Sequence, residues 1–155
     1  MSGQILQRQT PMDLALEEAA AAGARGEVPV GAVLVDAASG AILARFGNRV
    51  EELKDPTAHA EMLAIRHAAT SAGLKRLEGA DLYVTLEPCA MCAAAISFAR
   101  LRRLYFGAGD PKGGAVEHGP RFFAQATCHH RPEVYGGIGE RPAGELLRAF
   151  FQARR

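Results

Sequence analysis

Cys89 and Cys92 form a Cys-x-x-Cys pair directly behind Pro88. Two cysteines so spaced can hold a metal, exchange a disulfide or stand together by coincidence, and the motif alone leaves all three open. Its position narrows the choice. Proline suits the first turn of a helix, so the pair falls at a helix N-terminus, where free backbone N–H groups and the helix dipole favour thiolate over thiol. Thiolate is the form that binds zinc. His59 opens a second helical stretch, Pro56-Thr57-Ala58-His59-Ala60-Glu61. A lone histidine on a helix is commonly structural, but with two thiolates it completes three protein ligands. Three is the catalytic pattern, because a closed structural zinc site needs one more.

Glu61 is poorly placed as that further ligand, since residues two apart on a helix do not share a face. In the first turn its side chain can still reach across the helix end toward a metal-bound water. The charge balance is consistent with this: two thiolates neutralise Zn²⁺ and a neutral imidazole adds nothing. One zinc ion with a bound water or hydroxide is therefore the expected cofactor, with the water's pKa brought down to ~7. Attack on an amidine-like carbon then needs a proton on a ring nitrogen and another on the leaving amine. One mobile carboxyl group, Glu61, can supply both in turn.

The elements that must position these residues are legible in outline. Leu14–Ala24 reads as a helix stopped near Gly23 and Gly26, and Val28–Val35 as a strand buried on both faces. Asp36–Gly40 turns the chain, Ala41–Phe46 can return as a hairpin partner, and Gly47 through Pro56 reads as loop. Thr57 is a good N-cap for a helix running to Ala72 before Gly73. Leu82–Leu86 reads as a second buried strand, Ala90–Ala99 as a helix apolar nearly all round, and Leu104–Phe106 as a third strand. Gly107–Gly114 is a glycine-rich loop, and Gly144 to the C-terminus a final amphipathic helix. The stretch Gly107–Pro142 resists assignment. Strands alternating with helices imply a layered α/β domain with a largely parallel or mixed sheet.

The 155 residues suit one domain, residues 1–155, with 1–11 expected to be a flexible N-terminal segment. A content of 48% hydrophobic and 23% charged residues is that of an ordinary globular protein. No stretch approaches the ~18 apolar residues of a membrane span, and Met1–Met12 lacks the apolar core of a secretory signal. A cytoplasmic location without membrane association is expected. Three cysteines in such a compartment are more often metal-binding, catalytic or simply buried than part of a disulfide framework. The net charge of +1 excludes affinity dominated by global phosphate neutralisation. Nucleic-acid contact would need a local patch, for which Arg100, Arg102 and Arg103, or Arg148, Arg154 and Arg155, are available; solvated helix ends are the plainer reading.

His59-Ala60-Glu61 and Pro88-Cys89-Ala90-Met91-Cys92 match the H-x-E…P-C-x-x-C signature of the zinc base deaminases. Glu27-Val28-Pro29-Val30-Gly31-Ala32-Val33-Leu34-Val35, Leu82-Tyr83-Val84-Thr85-Leu86-Glu87-Pro88-Cys89 and Phe150-Phe151-Gln152-Ala153-Arg154-Arg155 further resemble the bacterial tRNA-specific adenosine deaminases. The resemblance runs from about Leu14 to the end. It implies a three-layer α/β/α cytidine-deaminase-like fold with a mixed sheet of about five strands. It also implies a homodimer that converts adenosine to inosine in a tRNA anticodon loop.

By the same resemblance, Asn48 meets the target base, with Ala60 and Pro88 also at the substrate. Asp110 and Lys112 border the nucleic-acid cleft, and Phe150, Phe151 and Arg154 face the anticodon loop. Stacking on splayed bases plus arginine contacts to phosphate is the physics that would serve such a surface. His129 stands where relatives tend to carry an asparagine near the substrate, so that contact departs from the pattern. Cys128-His129-His130 could suggest a second metal, but adjacent residues rarely share one, and a structural or surface role is expected. Two other readings stay open: the same zinc chemistry on a free base, nucleoside or nucleotide, and a non-catalytic zinc-stabilised binding module. An open cleft rimmed by Lys112 and the terminal arginines would favour RNA, whereas a C-terminal segment closing over the site would favour a small molecule.

Overall fold

In the computed structural model, which describes residues 8–155, the alternating pattern becomes one five-stranded sheet of order β2-β1-β3-β4-β5. The strands are β1 (Gly31–Asp36), β2 (Ile42–Gly47), β3 (Ala80–Leu86), β4 (Arg103–Ala108) and β5 (Glu133–Tyr135). β1 runs antiparallel to both β2 and β3, while β3, β4 and β5 are mutually parallel, so the sheet is mixed. Strand periodicity divides the side chains. Ala32, Leu34, Leu82, Val84, Leu104 and Phe106 face α3 (Ala60–Ala72) and α4 (Ala90–Phe98), whereas Val33, Val35 and Tyr83 face α1 (Pro11–Ala24). α5 (Glu140–Gln152) lies beside α1 and against β4, completing the α/β/α layers. Full burial of Leu34, Leu82, Leu104 and Phe106 stabilises this core by ~1.5–3 kcal/mol per side chain.

Several boundaries differ from the sequence reading, each for a local reason. α1 starts at Pro11, where Thr10 and Asp13 exchange capping-box hydrogen bonds, so Thr10 and Pro11 of the expected flexible segment belong to the helix start. Residues 1–7 of that segment lie outside the described residues. β1 begins at Gly31 rather than Val28 because Pro29 has no N–H for the ladder; Val28 instead bends away to wall a cavity. Inside the expected loop, α2 (Val50–Leu53) forms because the buried Glu27 carboxylate accepts from the N–H groups of Glu51 and Glu52, at 2.8 and 2.9 Å. α5 starts at Glu140 because Pro142 sits in the first turn, where an N–H is not needed. β4 runs on through Gly107 to Ala108, leaving the glycine-rich loop to begin at Gly109. The unassigned stretch contains a short 3₁₀ turn (Phe122–Ala124) and β5.

Gly31 shows how tightly α1 is seated. A Cβ there would lie 1.9 Å from the carbonyl oxygen of Ala15 and 2.7 Å from the amide nitrogen of Ala19. Both obstacles are helix backbone and cannot turn aside. Gly31→Ala is expected to destabilise the protein by at least ~1–3 kcal/mol, read as a lowered urea midpoint; an unchanged midpoint would show that α1 is loosely held.

Candidate metal centre and substrate cavity

His59 is the N-cap of α3 and Cys89 the N-cap of α4. The helix expected to start from Thr57 starts two residues later because Thr57 turns back on Asp55, its N–H and hydroxyl both donating to Asp55 Oδ1 at 2.8 and 2.7 Å. Neither N-cap side chain makes the usual capping hydrogen bond. Instead they face one another. Nδ1 of His59 lies 3.6 Å from Sγ of Cys89 and 3.6 Å from Sγ of Cys92, which occupies the first turn of α4. All three donor atoms fall within 4.8 Å of one another, and among the described residues this is the one such group of three. Zinc–sulfur and zinc–nitrogen bonds of ~2.3 and ~2.0–2.1 Å at a tetrahedral angle put sulfur and nitrogen about 3.6 Å apart. The donor set and its spacing fit zinc.

The electrostatics agree. Hydrogen bonding from Cys92, aided by His59 and opposed by burial, holds the Cys89 thiol down to about 4. Cys92 is pushed upward by its bond to Cys89 and by burial, so without a cation the pair keeps one proton between them. His59 is raised, chiefly by its bond to Cys89. Glu61, the second residue of α3, is buried at 4% exposure, and that desolvation raises its carboxyl above the ordinary range.

A cavity of ≈ 760 Å³ opens at this centre, walled by Val28, Asn48, Glu61, Asp110, Phe150 and Arg154 among others. It adjoins a second groove of ≈ 1010 Å³ that carries Lys112, Arg148, Phe151, Arg154 and Arg155; Val28, Leu86, Asp110, Gly113 and Arg154 line both. Asn48 is oriented by its neighbours. Its Oδ1 accepts from the Ala60 N–H at 2.8 Å, which leaves the NH₂ group for the cavity. Arg154 stacks over the Phe150 ring, 3.4 Å from its centroid. Phe151 is 49% exposed in the outer groove, so the Phe-Phe pair is not core.

Asn48, Asp110, Lys112, Phe150, Phe151 and Arg154 are thus gathered along one continuous depression with the metal centre. Ala60, Pro88 and His129 are not among its lining residues. Ala60 and Pro88 are buried behind it, tied through the Ala60 N–H to Asn48 and the Pro88 carbonyl to the Ala115 N–H. His129 is exposed beyond the far end of α4, where its carbonyl accepts from Arg100. Cys128 is buried and donates to the His130 carbonyl at 3.2 Å. Sequence reasoning missed Glu27 and Glu87. Both line the cavity, yet both carboxylates are occupied by backbone N–H groups. Burial alone would raise Glu87, but donors from Asp110, His118, Glu117 and Val116 hold it below the usual range. Asp110 likewise accepts from the Lys112 and Gly113 N–H groups. Glu61 has no such backbone partner in another residue; its hydrogen bonds are to its own N–H and to Cys92.

His59→Ala and Cys89→Ala are each expected to lower zinc content well below one per chain, measured by elemental analysis of purified protein. Protons compete with the metal at His59 and both thiols. Zinc affinity should therefore fall as pH drops, beginning above the ordinary histidine range because His59 is raised. Chelator competition across pH checks this, and a flat profile would exclude this ligand set.

A family model described as the cytidine and deoxycytidylate deaminase zinc-binding region matches residues 6–108. The tRNA-specific adenosine deaminase of Agrobacterium fabrum is 64% identical over 144 residues, 93% of each chain. A solved structure from work on A-to-I editing by tRNA:A34 deaminases at the wobble position superposes with a TM-score of 0.87 at 64% identity, covering 90% of this chain and 100% of that one. The guanine deaminase of Bacillus subtilis is more distant, with a TM-score of 0.61 at 39% identity over 64% of this chain and 62% of its own. The cysteine–histidine centre, the mixed sheet that carries it and these likenesses agree: the chain belongs to the cytidine and deoxycytidylate deaminase family, among its tRNA-specific adenosine deaminases.

Proposed function

We propose that the protein hydrolyses adenosine to inosine, with release of ammonia, at the wobble position of a tRNA anticodon loop. The observation that carries this reading is Glu61, a buried carboxylate that no backbone N–H of another residue occupies, beside a His-Cys-Cys centre whose cavity continues into a cationic groove. It is further supported by the activity named for the relatives at 64% identity.

Zinc, when bound by His59, Cys89 and Cys92, supplies Lewis-acid activation of water near neutral pH. The protein's own groups supply the rest. Glu61 takes one proton as the water oxygen bonds to C6 of the base and passes it to the adjacent ring nitrogen; it then takes the second from the hydroxyl now on C6 and delivers it to the exocyclic amine as the C6–N bond breaks. Its raised pKa suits a group that must carry a proton at one step and release it at another. Asn48 offers its NH₂ to a base acceptor, Phe150 and Phe151 offer stacking surface, and Lys112 and Arg154 meet backbone phosphates. In this reading Asp110 lines the RNA cleft. The enzyme is a single-domain cytoplasmic hydrolase, and no described helix is long and apolar enough to cross a membrane. It acts as a homodimer, as the resemblance to the tRNA-specific adenosine deaminases implies, and Phe98, which α4 leaves 75% exposed, is a residue such an interface could cover.

A free-base deaminase is the competing reading, and the likeness to a guanine deaminase is its support. Phe150 of α5 and Arg154 just beyond it do reach the cavity wall, but the cavity stays continuous with the groove bearing Lys112, Arg148 and Arg155, the arrangement that favours RNA.

Zinc-loaded wild-type protein should form inosine in an anticodon stem-loop carrying a wobble adenosine. Glu61→Gln should lose at least ~10²–10⁴-fold in rate while keeping its zinc. Failure on all cognate stem-loops alongside rapid turnover of a free base would replace the RNA reading. Arg154→Ala should raise KM for the stem-loop and flatten its salt dependence by about one phosphate contact, a slope change of ~0.7–0.9.

A further inference from the structure

Glu87 immediately precedes the Pro88-Cys89 turn, and its side chain is fully buried beneath the loop that follows β4. A carboxylate so placed is costly unless its lone pairs are filled. Here they are filled by five donors. Oε1 accepts from the Asp110 N–H at 3.0 Å and lies 2.6 Å from His118 Nδ1. Oε2 accepts from the N–H groups of Val116, Glu117 and His118 at 3.1, 2.9 and 3.1 Å. Two carboxylate oxygens offer about four lone-pair sites, so none is left for a substrate.

Gly114 completes the fit. A Cβ at that position would lie 2.5 Å from the Glu87 carboxylate, so the chain passes over the acid only as glycine. Asp110, anchored by its own N–H, in turn accepts from the N–H groups of Lys112 and Gly113. The segment that walls the inner cavity and carries Lys112 into the outer groove is therefore built outward from one buried side chain.

We infer that Glu87 is a positioning residue: its carboxylate is the template on which the Asp110–His118 loop folds, and it sets affinity for RNA without moving a proton. The affinity arm rests on the proposed RNA substrate. The folding arm does not, so the two can fail separately.

Glu87→Gln keeps the volume but turns an NH₂ group toward N–H donors. The test is amide hydrogen exchange on the zinc-loaded protein, with steady-state kinetics on the wobble-adenosine stem-loop. The amides of Asp110, Val116, Glu117 and His118 should lose at least roughly tenfold in protection while those of β3 and β4 keep theirs. KM should rise roughly tenfold with kcat within about threefold and zinc retained. Gly114→Ala, which keeps the Glu87 carboxyl group and the metal ligands but forces the loop and the acid apart, should give the same pattern, and decides the matter if Glu87→Gln does not fold. Unchanged protection would overturn the template. A fall in kcat at unchanged KM would overturn the positioning role and make Glu87 a participant in the chemistry. Lost protection supports the template even if wild type leaves the stem-loop unchanged, a result that would count against the substrate alone.

Discussion

The structure depends on bringing two helix N-termini to one point. α3 and α4 each begin with a residue that ought to cap its own helix, and each instead turns its side chain toward the other. The free N–H groups and positive dipole ends of both helices then surround the thiols, favouring the anionic sulfur that a divalent metal requires. An imidazole could not be held 3.6 Å from each of two cysteine sulfurs by flexible loops without a large entropic cost. Here the sheet supplies the rigidity, since the Cys89 turn follows β3, and β3 is paired on both sides.

The acidic residues around the cavity divide by what their oxygens touch. Glu27 secures α2, Asp110 shapes its own turn, and Glu87 gathers the loop after β4. These acids serve as fixed acceptors for backbone that would otherwise be unsatisfied near a solvent-filled space. Glu61 is buried without comparable help, and its carboxyl is raised for that reason. One acid raised by burial, beside acids whose oxygens are taken up by backbone N–H groups, is the contrast expected of a site with one proton carrier.

Charge is arranged along the same axis. Carboxylates dominate the inner cavity, and the cations Lys112, Arg148 and Arg155 stand in the outer groove, with Arg154 at the junction. A net charge of +1 conceals this separation. A neutral base can occupy the inner space while a phosphate backbone lies along the outer one. Arg154 stacked on Phe150 gives that junction a flat, cationic face suited to an unstacked nucleotide.

The metal centre was legible in the residues because it is a local pattern: Cys89 and Cys92 share one helical turn, and His59 and Glu61 share another. The helices and buried strands were legible for the same reason, from periodicity over short windows. What was missed depends on distant partners. α2 exists because Glu27 reaches it from 24 residues upstream, and Glu87 organises a loop 23 to 31 residues away. His129 falls beyond the far end of α4 because the turn that carries it packs there through Cys128 and His130, a contact invisible in its neighbours. The sequence by itself determined which atoms could hold a metal and carry a proton, because those are properties of side-chain type and turn-length spacing. Only the tertiary structure decided which carboxylate no other residue's backbone N–H occupies, which basic residues share a groove with the metal, and where the strands end, because each of these is set by partners remote in the chain.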